Sequence, residues 1–280
     1  MTELPDYHHR FHAGNVGDVW KHCVLVAAIE ALAGDRPVHL IETHAGEGRY
    51  PLGPTGEWTE GIGRLRVAPP GSPPAVTRFI ALIDRLGGQR TYPGSPALAL
   101  ALLRPQDRLL LHELRPEAAV ALRRAADDPR ATVIEGDGLA GLEPALAAVP
   151  PDALPLVLVD PPWSTKPEWL TVPDTLARAL RAHPRAAALL WYPIKSLTRP
   201  NAMLARLGAA GVSGETVELV TTPLELKRNR LNGSGVALIG LPPALLATVT
   251  GAAPSLGAAC ATHGRWSMRA LRFCPPVVAP

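Results

Sequence analysis

Four short apolar segments, each ending in an acidic residue or a tight turn, constrain the fold of this chain more than any other feature. They cover residues 38–42, 109–113, 132–137 and 156–160. Segments with helical spacing of Ala, Leu and Arg lie among them, such as 116–126 and 174–183. Short buried strands that alternate with helices are typical of βαβ units, whose strands pair in parallel. The sequence therefore predicts a doubly wound α/β fold with a ligand crevice at the carboxyl ends of its strands.

The second half of the chain predicts an antiparallel addition to this sheet. Residues 186–192, 215–222 and 235–241 have strand patterns, and 199–207 has a helical one. Asn232-Gly233 lies between the last two strands, and an Asn-Gly pair in that position is a strong hairpin signal. We expect a mostly parallel sheet of seven strands with an antiparallel hairpin at its edge.

One spacing indicates an insertion. Glu113, which ends the second strand, follows Glu42 by 71 positions, whereas a plain dinucleotide-binding unit separates these acids by about twenty. The additional segment, about 51–93, contains an amphipathic helical pattern over 75–86. We expect one domain over 1–280 with a small helical insertion subdomain.

Composition excludes several classes of protein. A chain of 280 residues with 47% hydrophobic content can bury a full core. The three cysteines, Cys23, Cys260 and Cys274, give neither a disulfide framework nor a four-cysteine zinc site. Charged residues interrupt the first thirty positions, and no apolar run is expected to approach membrane-spanning length. A cytoplasmic protein is expected, and its net charge of +3 allows a polyanionic partner without requiring one.

The motif with the most specific chemistry is Asp160-Pro161-Pro162-Trp163, directly after a predicted strand. An aromatic amine is a poor nucleophile, and an enzyme that methylates it must hold both N–H groups as the nitrogen becomes tetrahedral. Asp160 can supply a carboxylate and Pro161 a carbonyl oxygen, while the prolines stiffen the turn. Trp163 can stack on a flipped base. The motif alone leaves adenine, cytosine and protein amides open as substrates, and a structural turn with a buried Trp is the alternative.

A glycine turn after the first strand predicts a nucleoside cofactor. It reads Glu42-Thr43-His44-Ala45-Gly46-Glu47-Gly48, and its glycines allow close approach of the backbone to a ligand. Glu113 can accept hydrogen bonds from a ribose diol. Asp137 can accept one from an adenine amino group beside Gly138, although either acid can instead cap a helix.

The N-terminal region is rich in histidine and aromatic residues. Tyr7-His8-His9-Arg10-Phe11-His12-Ala13-Gly14-Asn15 leads into a helical pattern that holds Lys21 and His22. The histidines have no carboxylate or cysteine partner at ligand spacing, so no metal is expected. Lys21 and His22 can reach a carboxylate or a phosphate, and exposed helix positions are the alternative. The basic run at 227–230 can contact phosphate or be a solvated loop.

Four motifs of the chain together resemble the RlmJ family of 23S rRNA adenine N6 methyltransferases. They are the N-terminal run, the turn Thr43-His44-Ala45-Gly46-Glu47-Gly48-Arg49-Tyr50, the segment Tyr92-Pro93-Gly94-Ser95-Pro96, and Asp160-Pro161-Pro162-Trp163. The resemblance covers nearly the whole chain. It implies a Rossmann-like class I methyltransferase, with S-adenosyl-L-methionine as cofactor and 23S rRNA, protein-free or in early assembly, as partner. A monomer with no metal and no membrane association is expected.

The resemblance also implies residue roles. Asp160 is the catalytic acid of the Asp160-Pro161-Pro162-Trp163 motif. The cofactor contacts are His22, His44, Gly46, Ser95, Glu113, Asp137 and Gly138, and the substrate contacts are Tyr7, His9 and Lys21. Trp163 replaces a commoner Tyr, and His8 stands where Arg is expected, which removes one phosphate contact. No role is implied beyond residue 241.

Other functions remain open on the sequence alone. A DNA adenine or protein glutamine methyltransferase uses a similar Pro-Pro-aromatic turn, although the N-terminal motif argues against both. A nicotinamide-dependent dehydrogenase shares the sheet and the glycine turn but has no use for Asp160-Pro161-Pro162-Trp163. A non-catalytic RNA-binding module in ribosome assembly keeps the same fold, and only turnover excludes it.

Overall fold

The fold is built on an eight-stranded sheet, as seen in a computed structural model that describes residues 9–67, 71–226 and 231–275, with only the backbone of 9 and 10. The strands are β1 (Val38–Glu42), β2 (Arg49–Pro51), β3 (Thr91–Pro93), β4 (Arg108–Glu113), β5 (Ala131–Glu135), β6 (Leu154–Val159), β7 (Ala187–Ile194), β8 (Gly214–Val220), β9 (Gly233–Ile239) and β10 (Ser267–Phe273). The main sheet has the order β10-β8-β9-β7-β6-β1-β4-β5, and β2 pairs with β3 separately.

Helices cover both faces of this sheet. In chain order they are α1 (His9–His12), α2 (Val16–Leu32), α3 (Ile62–Leu65), α4 (Pro74–Gly87), α5 (Ser95–Leu102), α6 (Pro116–Ala125), α7 (Gly138–Ala147), α8 (Glu168–Ala182), α9 (Thr198–Ala209) and α10 (Pro243–Cys260). Side-chain caps fix two of the helix starts. Asn15 accepts a hydrogen bond from the Asp18 N–H at the start of α2, and Asp137 accepts bonds from two N–H groups at the start of α7.

The parallel half of the sheet consists of β7, β6, β1, β4 and β5. Successive residues of a strand point to opposite faces, and β1 accordingly sends Leu40 into one core and Ile41 into the other. Because helices cover both faces, residues 155–159 of β6 are buried without interruption. The predicted doubly wound α/β fold is confirmed.

The antiparallel half is larger than the sequence predicts. β9 pairs antiparallel with both β7 and β8, and β10 adds to the outer side of β8. The prediction of seven strands was wrong by one because β10 is mostly exposed and has no apolar strand pattern. A half-buried ion pair anchors it instead: Nε of Arg269 donates to Oε2 of the buried Glu218 on β8 at 2.7 Å. The hairpin of β8 and β9 was predicted at the edge of the sheet. It lies instead between β10 and β7, so the prediction of an edge position was wrong.

The Asn232-Gly233 pair does not form the predicted two-residue turn. Gly233 is already in β9, where it pairs with Val220, so residues 221–232 form the connection. Asn232 is buried, and its side-chain amide donates to the carbonyl oxygens of Thr222, Pro223 and Leu226. Asn232 therefore holds the base of a longer loop. The basic run at 227–230 lies outside the described residues.

The segment between β1 and β4 holds β2, a 3-10 turn at Glu57–Thr59, α3, α4, β3 and α5. The helix predicted at 75–86 is confirmed as α4, and β2 pairs with β3 through the buried Tyr50 and Tyr92. The two ends of the segment thus meet in a short antiparallel ladder. Its status as a subdomain stays a prediction.

Helix α10 departs from the expectation that no apolar run approaches membrane-spanning length. Its 18 residues are long and apolar enough to cross a membrane by length and composition. However, Leu245, Val249, Ala253 and Leu256 are buried in the same core as β1. The helix therefore has a place in the packed core of the domain.

Candidate active site

Three acidic residues meet at one edge of the sheet because their strands are neighbours. β1 pairs in parallel with β4 on one side and with β6 on the other. Glu42 and Glu113 end β1 and β4, and Asp160 follows β6. Carboxyl ends of parallel strands lie at the same edge, so these three acids come to the edge where the sequence predicts a ligand crevice, and the crevice stays a prediction.

The glycine turn is tied directly to Glu113. Gly46 has φ 65°, in the left-handed region that favours glycine, and its N–H donates to Oε2 of Glu113 at 2.9 Å. Oε1 of Glu113 accepts from the N–H of Arg115 at 2.9 Å. Both carboxylate oxygens are thereby oriented on an almost buried side chain. Contact with a ribose stays a prediction.

Asp137 and Gly138 bring a second turn against the first. Oδ1 of Asp137 accepts from the N–H groups of Leu139 and Ala140 at 2.8 and 3.2 Å, so the alternative reading of Asp137 as a helix cap is correct. The cap leaves Oδ2 of Asp137 without a partner among the described residues. Oδ2 is therefore available for the predicted cofactor contact, which stays a prediction. A Cβ built on Gly138 would collide with the carbonyl oxygen of Thr43. Only glycine allows this approach of the two turns.

Glu42 is the most deeply buried acid of the site. Ser95, the first residue of α5, donates its hydroxyl to Oε2 of Glu42 at 2.6 Å. Oε1 is buried and has no partner among the described residues. Burial raises the pKa of Glu42 to about 8 despite the Ser95 hydrogen bond. The sequence points to Ser95 by resemblance, and the structure adds Glu42 as its partner.

The two predicted histidines have different environments. His44 lies 2.8 Å from the hydroxyl of Thr43, and burial lowers its pKa to about 4, so it is neutral at neutral pH. Nδ1 of His22 lies 2.8 Å from the hydroxyl of Tyr92, and the two rings are stacked with centroids 5.5 Å apart. The contact between His22 and Tyr92 joins α2 to β3.

Lys21 lies between two carboxylates. Its Nζ is 2.8 Å from Oδ1 of Asp18 and 2.5 Å from Oδ2 of Asp160, and it lies 5.4 Å from the ring centroid of Trp191. The Lys21 side chain is only 4% exposed. Burial lowers its pKa, but Asp160 and Asp18 outweigh that effect and raise it above its usual range. The sequence-based alternative of an exposed helix residue is therefore wrong for Lys21.

Asp18 and Trp191 are site residues that the sequence analysis missed. Asp18 stands three positions before Lys21 on α2, and opposite charges at that spacing meet on one helix face. The sequence therefore contained a signal for Asp18 as a partner of Lys21. It contained no signal for Trp191, because the contact of Trp191 with Lys21 depends on the packing of β7 beside α2.

Trp163 is buried, which was the alternative reading of the Asp160-Pro161-Pro162-Trp163 motif. Its side chain is 8% exposed and packs on Trp169 with ring centroids 4.4 Å apart. Its indole N–H donates to the carbonyl oxygen of Trp191 at 3.1 Å. The backbone at Trp163 has φ 52°, an uncommon conformation for a residue with a side chain. The ring supports the turn here, and stacking on a base stays a prediction.

Some predicted residues lie outside what the structure describes. Tyr7 is not described, and of His9 only the backbone is, in α1. Within the described ranges no cluster of three or more His, Cys, Asp or Glu side chains could hold a metal ion. His12, one of the histidines considered for zinc, pairs with Glu57 at 2.9 Å.

Comparison with known proteins identifies the family. The family described as "Ribosomal RNA large subunit methyltransferase D, RlmJ" matches residues 35–271. The chain belongs to the RlmJ family. A relative from Escherichia coli (strain K12), "Ribosomal RNA large subunit methyltransferase J", is 36% identical over 84% of this chain and 87% of its own. The protein of the same name from Haemophilus influenzae is 34% identical over the same shares.

A solved structure supports the same conclusion for the fold. Protein LPL1258 from Legionella pneumophila has a TM-score of 0.85 and 27% identity, and the match covers 94% of this chain and 98% of that one.

The RlmJ match at 35–271 begins after Lys21 and His22. Their contacts with Asp160 and Tyr92 attach this N-terminal helix to the RlmJ core.

Proposed function

We propose that this chain methylates the N6 amine of a specific adenine in 23S rRNA, with S-adenosyl-L-methionine as methyl donor. The observation that carries the proposal is the state of Asp160. Nζ of Lys21 donates to Oδ2 of Asp160, while Oδ1 has no partner among the described residues. The carboxylate is partly exposed at the edge of the sheet. An oriented acceptor beside a nucleoside crevice suits an adenine amine.

The residues at the crevice fit the cofactor. Two turns approach each other only because Gly138 has no side chain, and the acids Glu113 and Asp137 lie at the carboxyl ends of the adjacent strands β4 and β5. The buried Oε1 of Glu42 lacks a partner among the described residues and can accept from an ammonium group. We assign the cofactor to His22, His44, Gly46, Ser95, Glu113, Asp137 and Gly138. When bound, S-adenosyl-L-methionine supplies a methyl group on a sulfonium, with a neutral thioether as leaving group.

Asp160 and Pro161 hold the nucleophile. Oδ1 of Asp160 accepts one N–H of the adenine amine, and the Pro161 carbonyl oxygen accepts the other. These bonds strengthen as the nitrogen becomes tetrahedral and acquires positive charge, so they stabilise the transition state more than the ground state. Pro161 and Pro162 fix the turn and limit reorganisation.

The reaction needs neither a metal nor a covalent intermediate. With S-adenosyl-L-methionine held by the residues assigned above, the adenine nitrogen would take the methyl group, and the electron pair of the carbon–sulfur bond would leave with the neutral thioether. The nitrogen then carries one proton too many, which passes to Oδ1 of Asp160 and on to solvent. Alignment of the two reactants supplies much of the acceleration.

The substrate side faces RNA. The two relatives are named as methyltransferases of large-subunit ribosomal RNA, and an adenine must leave its stack to reach Asp160. We assign Tyr7, His9 and Lys21 to this side. Lys166 and Lys195, exposed on the connections after β6 and β7, are available for phosphates. We further propose a cytoplasmic monomer, one domain over 1–280 with an insertion at about 51–93, that acts on protein-free or early-assembly RNA.

A panel of substrates tests the proposal. Labelled S-adenosyl-L-methionine is offered with protein-free 23S rRNA, duplex DNA and total protein, each from cells that lack the gene. Label in the rRNA alone supports the proposal. Label in DNA or protein supports the alternative methyltransferases, and cofactor binding with no label anywhere supports a non-catalytic assembly module.

A further inference from the structure

Asp18 has a carboxylate whose two oxygens bind two different parts of the N-terminal region. Oδ1 accepts from Nζ of Lys21 at 2.8 Å, and Oδ2 accepts from the backbone N–H of Gly14 at 2.9 Å. The side chain is about as buried as that of Lys21. A buried carboxylate is costly unless it is paired and hydrogen-bonded, and Asp18 satisfies this condition through two donors at once.

Lys21 needs such a partner because its side chain is long. A lysine side chain has four rotatable bonds and directs its charge poorly without contacts on more than one side. Here Asp18 contacts the ammonium from α2, Asp160 contacts it from the end of β6, and the ring of Trp191 lies beneath it. The position of Oδ2 of Asp160 therefore depends on Asp18 through Lys21.

We propose that Asp18 is a positioning residue for methyl transfer: it holds the Lys21 ammonium against Oδ2 of Asp160 and so fixes Oδ1 of Asp160 for the substrate amine. The inference rests on the proposed function. It adds a residue that touches neither substrate nor cofactor and acts through Lys21.

The insertion braces Asp18 from the other side. The Asn15 side chain accepts from the Asp18 N–H at 3.0 Å and donates to Oε2 of Glu57 at 2.9 Å. Glu57 belongs to the 3-10 turn of the insertion. The backbone and the carboxylate of Asp18 are thus fixed by separate contacts, which is the arrangement expected of a support for a reacting group.

Substitutions at Asp18 separate charge from shape. Asn has one acceptor oxygen and cannot serve both the Gly14 N–H and the Lys21 ammonium, so Asp18→Asn loses one contact and the charge. Asp18→Glu restores the charge with a longer reach. Asp107→Asn is the matched control: Asp107 is also buried and accepts from the Val38 N–H at 2.8 Å and from Arg104, at the opposite edge of the sheet.

The first measurement compares kcat, KM for RNA and cofactor affinity in these variants. We expect Asp18→Asn to lower kcat roughly a hundredfold, the loss that follows a misplacement of about 1 Å at a reacting group. Cofactor affinity should change by less than about tenfold. Asp18→Glu should recover part of kcat, and Asp107→Asn should keep it while losing stability.

The pH profile gives a readout that a merely structural role would not change. The charged or titratable groups around Lys21 are Asp18 on α2, Asp160 after β6, Glu42 on β1 and Tyr50 on β2. Loss of one of the two contacting carboxylates lowers the pKa of Lys21. The kcat of Asp18→Asn should therefore fall at alkaline pH, where the kcat of the wild type does not yet fall.

Lysine labelling tests the geometry without turnover. The chain has four lysines, and reductive methylation of the folded protein at about pH 9 followed by mass spectrometry reports the neutral fraction of each. We expect faster labelling of Lys21 in Asp18→Asn, with Lys166 and Lys195 as unchanged references. Unchanged Lys21 labelling, a wild-type kcat and pH profile in Asp18→Asn, or an equal loss of kcat in Asp107→Asn would overturn the inference. A wild type that transfers no methyl to RNA while Lys21 labelling responds to Asp18 would overturn the proposed function alone.

Discussion

Nζ of Lys21 lies 2.5 Å from Oδ2 of Asp160, although 139 positions separate the two residues. The contact joins α2 to the end of β6 and brings the N-terminal motif to the acid of the Asp160-Pro161-Pro162-Trp163 turn. It also orients Asp160, because Oδ2 accepts from Lys21 while Oδ1 has no partner among the described residues.

Removal of the Lys21 charge should impair both stability and turnover. Lys21→Met leaves Asp18 and Asp160 as neighbouring carboxylates with no cation between them, which should cost on the order of 3 kcal/mol in the free energy of unfolding. Methyl transfer should be lost as well. Urea unfolding measures the first effect, and Lys21→Arg, which retains the charge, is the control. A Lys21→Met protein as stable as the wild type would show that the ion pairs of Lys21 contribute nothing to the free energy of unfolding.

Gly138→Ala should disturb the contact between the two turns of the crevice. A Cβ at residue 138 meets the Thr43 carbonyl oxygen, so the backbone must shift, at a cost of about 1–3 kcal/mol or more. Cofactor affinity should fall, as measured by calorimetry. Gly136→Ala is the control two positions away, since the nearest atom to its Cβ is Cγ2 of Ile134 at 3.9 Å. Equal affinities of the two variants would refute the argument.

Trp163→Phe should weaken the turn that carries Asp160. The ring can still pack on Trp169, but the hydrogen bond to the Trp191 carbonyl oxygen is lost, which should cost about 1 kcal/mol in stability. The rate of methyl transfer should fall with it. Trp266→Phe is the control, because Trp266 is 36% exposed and its substitution should cost less than about 0.5 kcal/mol. A stability loss no larger in Trp163→Phe than in Trp266→Phe would contradict the assigned support.

Glu42 should make the protein less stable as pH rises. Its folded-state pKa of about 8 exceeds the ordinary glutamate value of 4.5, so between these values the unfolded chain has released a proton that the folded protein keeps. His44, with a pKa lowered to about 4, acts in the opposite direction below the ordinary histidine value of 6.5. The loss due to Glu42 should thus be clearest from about pH 6.5 to 8. Melting temperatures of Glu42→Gln should lack this decline, and an identical decline in both proteins would exclude Glu42 as its source.

The sequence predicts those features of the fold and site that depend on local pattern. Strand ends and their acids are visible in the chain because each apolar run stops at an acid or a turn, as at Glu42 and Glu113. The fold follows from their alternation with helices. Trp163 shows the limit of this reasoning, since the motif allows an open or a buried ring and the neighbours that decide are Trp169 and Trp191.

Features that depend on long-range pairing were not predictable. β10 is exposed on most of its residues and acquires its place through the partner strand β8 and the buried Glu218. Asn232 has the residue type of a tight turn, but its amide finds three carbonyl oxygens across a longer loop. Asp18 was visible as a charge three positions before Lys21. Its importance emerges only from the fold, which places Asp160 against the same Lys21 ammonium.

The most direct test is the rate at which N6-methyladenosine forms in protein-free 23S rRNA at saturating cofactor, for the wild type and for Asp160→Asn. We expect N6-methyladenosine with the wild type and a rate roughly 100- to 1000-fold lower with Asp160→Asn, the range for loss of one oriented transition-state contact. Cofactor binding of the variant should be nearly intact. A wild type that forms no N6-methyladenosine, or an Asp160→Asn protein that forms it at a near-normal rate, would contradict the account.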